Sequence, residues 1–125
     1  MDAEKGFFEV ERVGDVLVLT PLRDLRELDY PEIEVEGKEL LWLESDAWVR
    51  GVVVDFGRTD YFGSTAIGLL LRLGRRMRNR EGRLALCNVS DHEKEILAAA
   101  GLAGFWTAYP SREGAVKAAA GVAAA

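Results

Sequence analysis

Two adjacent hydroxyl side chains, Ser64 and Thr65, stand where an amphipathic segment of the sequence begins. They follow the apolar run VVVDFG, which predicts a buried strand ending at Asp55, and a short turn that ends in Gly63. A hydroxyl at the start of a helix has three uses that the residues alone leave open. It can cap the helix, act as a nucleophile, or accept a phosphate, because the first turn offers unpaired N–H groups and the positive end of the helix dipole.

A hydrolytic role for Ser64 requires a base, and His92 is the only histidine in the chain. His92 falls in the first turn of a predicted helix, where we expect it to be solvent-exposed, and FGSTA lacks the flanking glycines of a nucleophile elbow. The tripeptide DFG at 55–57 does not indicate a kinase, since the sequence has neither a glycine-rich phosphate loop nor an HRD-type catalytic loop. We therefore expect no enzymatic activity and assign no catalytic residue.

The remaining reactive side chains predict no metal or cofactor site. Cys87 lies among apolar residues of a predicted strand, so we expect a buried and inert thiol. One histidine and one cysteine among scattered carboxylates do not form a zinc-binding pattern.

The composition is that of one soluble globular domain over residues 1–125, with 49% hydrophobic and 30% charged residues. A net charge of −5 argues against nonspecific binding to nucleic acid or to anionic membranes. No apolar run is long enough to cross a bilayer, and the acidic N-terminus has no signal-peptide core. A single cysteine excludes an internal disulfide, so we expect a cytoplasmic protein without membrane insertion.

The order of the predicted elements indicates the α/β class. GFFEVERVGDVLVLTPL predicts an antiparallel hairpin, and from Val52 onward strands and helices alternate. We therefore expect a small mixed sheet, with an N-terminal antiparallel hairpin followed by parallel βαβα units and with helices mainly on one face. The helix over STAIGLLLRLGRRMRN should bury Ile67, Leu70, Leu71, Gly74 and Met77.

Two further segments carry specific predictions. Residues 22–37 contain Pro31 and Gly37 among many acidic residues, which predicts an exposed, mobile connection followed by a short helix over GKELLWLESDAWV. The later helices should be capped by Ser90 or Asp91 and by Ser111. The basic run RLGRRMRNREGR at 72–83 fits either a solvated helix face or a docking surface for an acidic partner.

The segment VVVDFGRTDYFGSTAIGLLLRL resembles the signature of STAS domains, the anti-sigma factor antagonist family. That signature is an apolar strand ending in Asp, a short turn, and then Asp-Ser-Ser/Thr-Gly-Leu-Gly at the start of a helix. GRLALCNVSDHEKEILAAAGLAGFWTAYPSREGAVKAA is similar to the strands and helices that follow in the family, so the resemblance covers about residues 50–120. It departs at Gly63, where the family has an acidic residue, and at Ala66, where the family has glycine.

The resemblance implies that Ser64 is the phosphorylation site, with Thr65 as the fallback acceptor. It implies a regulatory module that binds an ATP-dependent serine kinase, which is an anti-sigma factor, and that is reset by a phosphatase, with no direct contact to nucleic acid. The residues expected to contact the partner are Asp60, Gly63, Ser64, Thr65, Gly68 and Arg72.

Two alternatives remain open on the sequence. The first is a STAS-type structural or adaptor subunit of a signalling or transport assembly that is never phosphorylated, which Gly63 favours. The second is a sensor of a small ligand or nucleotide.

Overall fold

The computed structural model describes residues 6–26, 29–44 and 48–120, without the side chains of residues 41–44. Five strands and four helices occur in this part of the chain. In chain order they are β1 (Phe8–Val13), β2 (Val16–Pro21), α1 (Tyr30–Glu44), β3 (Gly51–Asp55), α2 (Ser64–Asn79), β4 (Arg83–Cys87), α3 (Asp91–Ala99), β5 (Ala108–Tyr109) and α4 (Arg112–Ala119).

The strands form one mixed sheet in the order β1-β2-β3-β4-β5. β1 and β2 are antiparallel, and the other three pairings are parallel. β3 is central, and its residues Val52 to Val54 are at most 2% exposed, as expected of a β-branched strand that is covered on both faces. The predicted fold class is confirmed, and the sheet brings the carboxyl ends of β3 and β4 to one edge.

Side chains that alternate along the strands form two cores. Leu17, Val52 and Leu86 point to the face that is covered by α1, α2 and α3. Val18 and Val53 point to the opposite face, where they pack against α4. Three of the four helices thus lie on one face, in agreement with the prediction.

The prediction of a mobile connection over residues 22–37 is wrong, because α1 begins at Tyr30. Pro31 occupies the first turn of a helix, where a missing N–H group costs nothing. Gly37 is buried inside the helix, and a Cβ atom there would lie 3.2 Å from a methyl group of Leu69. The two presumed breakers therefore serve helix initiation and close packing. Residues 27–28 of this segment lie outside the described residues.

The expected span of α2 is confirmed, but its predicted inner face is rotated. The buried residues are Ala66, Leu69, Leu70, Leu73 and Met77. Leu71 is 36% exposed, and Ile67 and Gly74 are only half-buried. Three consecutive leucines at 69–71 fit either helical register, so the sequence pattern alone did not decide which pair faces the core.

The caps of the later helices were predicted with more success. Ser90 rather than Asp91 is the N-cap of α3, and it forms a reciprocal capping box with Glu93. Ser111 caps α4 by accepting a hydrogen bond from the Gly114 N–H at 3.1 Å. Gly101, with φ +79°, ends α3 in the left-handed conformation that glycine adopts without strain.

Candidate functional site

The loop between β3 and α2, residues 56–63, carries the candidate site, and both of its ends are anchored in the core. Phe56 and Phe62 are at most 1% exposed, and their ring centroids are 5.1 Å apart. The Phe56 N–H donates to the Cys87 carbonyl of β4 at 3.0 Å. The residues between the two phenylalanines are therefore held at the carboxyl edge of the sheet.

Asp55 fixes the base of this loop. One carboxylate oxygen accepts hydrogen bonds from the Gly57 N–H and the Asn88 amide, both at 2.9 Å. The other accepts from the Arg112 Nε at 2.9 Å. Burial by itself raises the pKa of Asp55, but the hydrogen bonds from Asn88, Gly57 and Arg112 outweigh it and hold the pKa below its ordinary value. Asp55 is therefore a charged structural anchor.

Arg112 extends this anchor to the first hairpin. Its guanidinium pairs with the Glu11 carboxylate of β1 at 2.7 Å and donates to the Thr20 hydroxyl of β2 at 3.0 Å. A single side chain at the start of α4 thus ties the end of β3 to two other strands.

Glu93 holds the side of the loop from α3. Its carboxyl group is fully buried, and it accepts a hydrogen bond from the Thr59 hydroxyl at 2.5 Å and another from the Ser90 N–H at 3.0 Å. Burial raises the pKa of Glu93, and the hydrogen bonds from Thr59 and Ser90 only partly offset this increase. The buried carboxyl group therefore fixes Thr59 against the start of α3.

Asp60 lies at the exposed tip of the loop. Its main-chain N–H donates to the Asp24 carboxylate at 2.9 Å, and its own carboxylate lies 3.4 Å from the His92 ring nitrogen. The Ser90 hydroxyl, and then the His92 ring, lower the pKa of Asp60 by stabilising its charged form. Asp60 is thus positioned by its neighbours while its carboxylate stays in solvent.

The last residues of the loop form a short parallel bridge with the segment that follows β2. Leu25 pairs with Phe62, its N–H donates to the Tyr61 carbonyl at 3.2 Å, and its carbonyl accepts from the Gly63 N–H at 2.8 Å. Gly63 is buried in this bridge, so its main chain sets where α2 begins.

Ser64 is the first residue of α2, and it is exposed. The N-cap is Gly63, with φ −101° and ψ −167°, and as a glycine it has no side chain with which to cap the helix. Ser64 therefore does not serve as the N-cap, which removes the plainest structural role for its hydroxyl. Thr65 is half-buried and so is less accessible than Ser64.

Two of the predicted contact residues lie further along α2 than Ser64. Gly68 and Arg72 continue the same row at a spacing of four residues, so Arg72 lies about 12 Å from Ser64 along the helix axis. A Cβ atom at Gly68 would meet nothing within 4 Å, which leaves an open surface beside Ser64. Arg72 pairs with Glu34 of α1 at 3.6 Å. The structure thus places Asp60, Ser64, Gly68 and Arg72 at the surface and buries Gly63.

The side chains that hold the loop were missed from the sequence. The spacing Ser90-x-x-Glu93 is a capping-box pattern, and it could have identified Glu93 as a structural residue. No local sequence pattern predicts the partners that come from distant segments, such as Asp24, Leu25 and Arg112.

Two other reactive side chains, Cys87 and His92, lie next to this loop. Cys87 is buried, as predicted, and burial, followed by the charge of Asp55, raises the pKa of its thiol to about 12. His92 is exposed, as predicted. Within the described residues, no cluster of three or more His, Cys, Asp or Glu side chains could hold a metal ion, and no helix has the length and apolarity to cross a membrane.

The model of the STAS domain family matches residues 8–115. The chain belongs to the STAS domain family. A curated relative is the candidate anti-sigma factor antagonist BtrV of Bordetella bronchiseptica, which is 33% identical over 73 residues. That alignment covers 58% of this chain and 63% of BtrV, so it spans less than two thirds of the relative.

Solved structures share the fold. An anti-sigma-factor antagonist (STAS) domain protein from Planctomyces limnophilus is 30% identical, with a TM-score of 0.77 over 90% of this chain and 97% of that protein. The antagonist SpoIIAA in its unphosphorylated form is 21% identical, with a TM-score of 0.72 over 92% and 97% of the two chains. Bacillus SpoIIAA in the phosphorylated form is 20% identical, with a TM-score of 0.62 over 89% and 97%.

Proposed function

We propose that this STAS protein is an anti-sigma factor antagonist, a regulatory binding module that is switched by phosphorylation of Ser64. The observation that carries the proposal is the exposed Ser64 hydroxyl, which stands at the start of α2 without a capping role. The loop before it is fixed by Asp55, Glu93 and Leu25, so the hydroxyl is presented on a rigid support.

The free protein should tolerate the modification. A phosphate on Ser64 lies next to the unpaired N–H groups and the positive dipole end of α2, and it has solvent around it. In the unbound state the added charge therefore costs the fold little.

The same charge acts differently at an interface. A partner that fits the unmodified surface of Asp60, Ser64 and Gly68 must desolvate the added phosphate at the interface. Binding therefore weakens while the fold persists, which is what a switch requires. The SpoIIAA structures support this proposal, because that protein, which shares the fold, is known in unphosphorylated and phosphorylated forms.

By this proposal the partner is an ATP-dependent serine kinase that also sequesters a sigma factor. The unphosphorylated antagonist captures the kinase, phosphorylation of Ser64 releases it, and a phosphatase restores the hydroxyl. The protein acts in the cytoplasm through protein contacts, without chemistry of its own and without direct contact to nucleic acid.

A second candidate is an adaptor STAS subunit that is never phosphorylated. It is favoured by Gly63, which is buried and gives the kinase no acidic side chain before the serine. The two candidate functions differ in whether Ser64 is phosphorylated.

Incubation with a candidate anti-sigma serine kinase and ATP, followed by intact mass measurement, separates them. We expect the mass of one phosphate on the wild type and on Thr65→Ala, and none on Ser64→Ala. Phosphate on Ser64→Ala but not on Thr65→Ala would move the acceptor to Thr65. Absence of phosphate from all three proteins, with binding intact, would favour the adaptor.

A further inference from the structure

The edge of the sheet at β4 is only half covered. β5 has two residues, and they pair with Leu86 and Cys87 at the end of β4. The first three residues of β4, Arg83 to Ala85, have no strand on that side among the described residues. The sheet therefore ends in an open half-edge, at the opposite end of β4 from the Ser64 loop.

The main chain of Leu84 faces this opening. The N–H groups of Leu86 and Asn88 donate to the carbonyls of Thr107 and Tyr109, both at 3.1 Å. Peptide groups alternate along a strand, so the N–H and carbonyl of Leu84 point to the same side as those of Leu86, which is the side of β5. No main-chain partner for the Leu84 N–H occurs in the described part of the chain. One donor and one acceptor thus remain for an added strand.

A cavity of about 370 Å³ lies against this edge. On the side of α2 it is lined by Gly74 and Trp106, and on the side of α4 by Tyr109 and Ala118. A Cβ atom at Gly74 would lie 3.2 Å from the Trp106 indole nitrogen, so glycine keeps this wall clear. The cavity is a slot between the two helical layers. It lies where β5 would run if it extended along the first residues of β4.

Two guanidinium groups make the slot basic. Arg78 and Arg83 line it, and none of the described lining residues is acidic. Neither arginine takes part in an ion pair among the described residues, whereas Arg72 and Arg112 do. The protein has a net charge of −5, so these two cations beside an open strand edge form a local basic patch on an acidic protein.

We propose that this slot binds an extended acidic segment of a partner protein, which adds to the sheet as a strand beside Leu84. The main chain of the segment pairs with Leu84, its carboxylates bind Arg78 and Arg83, and an apolar side chain packs on Trp106. By this proposal two arginines of the basic run at 72–83, Arg78 and Arg83, belong to a docking surface. The site is distinct from the Ser64 surface and does not depend on phosphorylation.

The open main chain favours a peptide over a small anion. An anion would engage the guanidinium groups and the Leu84 N–H, but it would leave the Leu84 carbonyl without a donor. A strand satisfies both groups, and it continues the line that β5 begins.

The test is selection of short random peptides on the immobilised full chain, followed by titration of the selected peptides. We expect acidic peptides with an apolar residue between the acids, and a loss of affinity of about tenfold or more for Arg83→Glu and for Arg78→Glu. Arg75→Glu, on the same helix but outside the slot, should bind as the wild type does. Peptides in which lysine replaces glutamate should regain binding to Arg83→Glu.

Hydrogen exchange at the Leu84 amide supplies a second readout. This amide should exchange readily in the free protein and become protected when the peptide binds. Selection without acidic enrichment, equal affinity for Arg83→Glu and Arg75→Glu, or unchanged exchange at Leu84 would each overturn the proposal. Displacement of the peptide by free glutamate or inorganic phosphate at equal concentration would assign the slot to a small anion instead.

Discussion

The loop that precedes Ser64 is held at its base and at its side by two buried carboxyl groups, whose pKa values are shifted in opposite directions. At the base, Asp55 has a guanidinium partner, and its pKa lies below the ordinary value. At the side, Glu93 has only neutral donors, and its pKa is raised. Hydrogen bonds from Asn88, Gly57 and Arg112 outweigh burial at Asp55, whereas burial outweighs the hydrogen bonds at Glu93, so the fold favours the charged form of the first carboxyl group and the neutral form of the second. Ser64 itself belongs to neither region, and by our proposal its hydroxyl contacts a partner.

The largest effect is expected at the base of the loop. Asp55→Asn keeps the shape but removes the charge that Arg112 binds, so the free energy of unfolding should fall by about 2 kcal/mol. Urea denaturation at neutral pH measures this loss. Glu11→Gln is the matched control, because it removes the exposed partner of the same arginine and should cost about 0.5 kcal/mol. Equal losses for the two variants would show that Asp55 is not the anchor.

A smaller effect is expected at the side of the loop. Thr59→Val removes the hydroxyl that donates to the buried Glu93 carboxyl group, and it should lower the free energy of unfolding by about 1 kcal/mol. A double-mutant cycle with Glu93→Leu, which leaves the Thr59 hydroxyl no acceptor at that position, isolates the contact. Additive losses in that cycle would mean that the two side chains do not interact in solution.

The pH dependence of stability should separate the two regions further. The pKa of Asp55 is lowered on folding, so its contribution is present above its ordinary value of 3.8 and is lost as the pH falls through the folded pKa. The pKa of Glu93 is raised, so its contribution is present below its ordinary value of 4.5 and is lost as the pH rises through the folded pKa.

Melting curves across acidic and neutral pH, with Asp55→Asn and Glu93→Gln, test these signs. Asp55→Asn should flatten the acid side of the profile, and Glu93→Gln should flatten the decline above pH 4.5. A steeper decline in Glu93→Gln would reverse the sign assigned to that carboxyl group.

The sequence predicts those parts of the molecule that are set by local patterns. α2 begins and ends where its amphipathic segment does, and Ser90 and Ser111 cap their helices through contacts three residues away. The segment at 22–37 was predicted wrongly, because Pro31 and Gly37 have roles that depend on position in a helix and on packing against Leu69.

The support of the candidate site could not be predicted for a related reason. Arg112 meets Asp55 across 57 residues of sequence, and Asp24 meets Asp60 across 36. Only the folded sheet brings these pairs together, so neither hydrophobic periodicity nor residue spacing in the sequence predicts them. The position of Ser64, by contrast, depends on a single strand–turn–helix unit, and it was found from the residues.

The most direct test of the account is calorimetric titration of Ser64→Asp and Ser64→Ala against the partner kinase, with melting curves of both variants. An acidic side chain at the start of α2 is favoured by roughly 0.3–1 kcal/mol, so Ser64→Asp should melt as the wild type does. Its affinity for the partner should fall by about 2 kcal/mol or more, which is about 30-fold, while Ser64→Ala keeps the affinity of the wild type. Wild-type affinity in Ser64→Asp would contradict a phosphorylation switch at this residue.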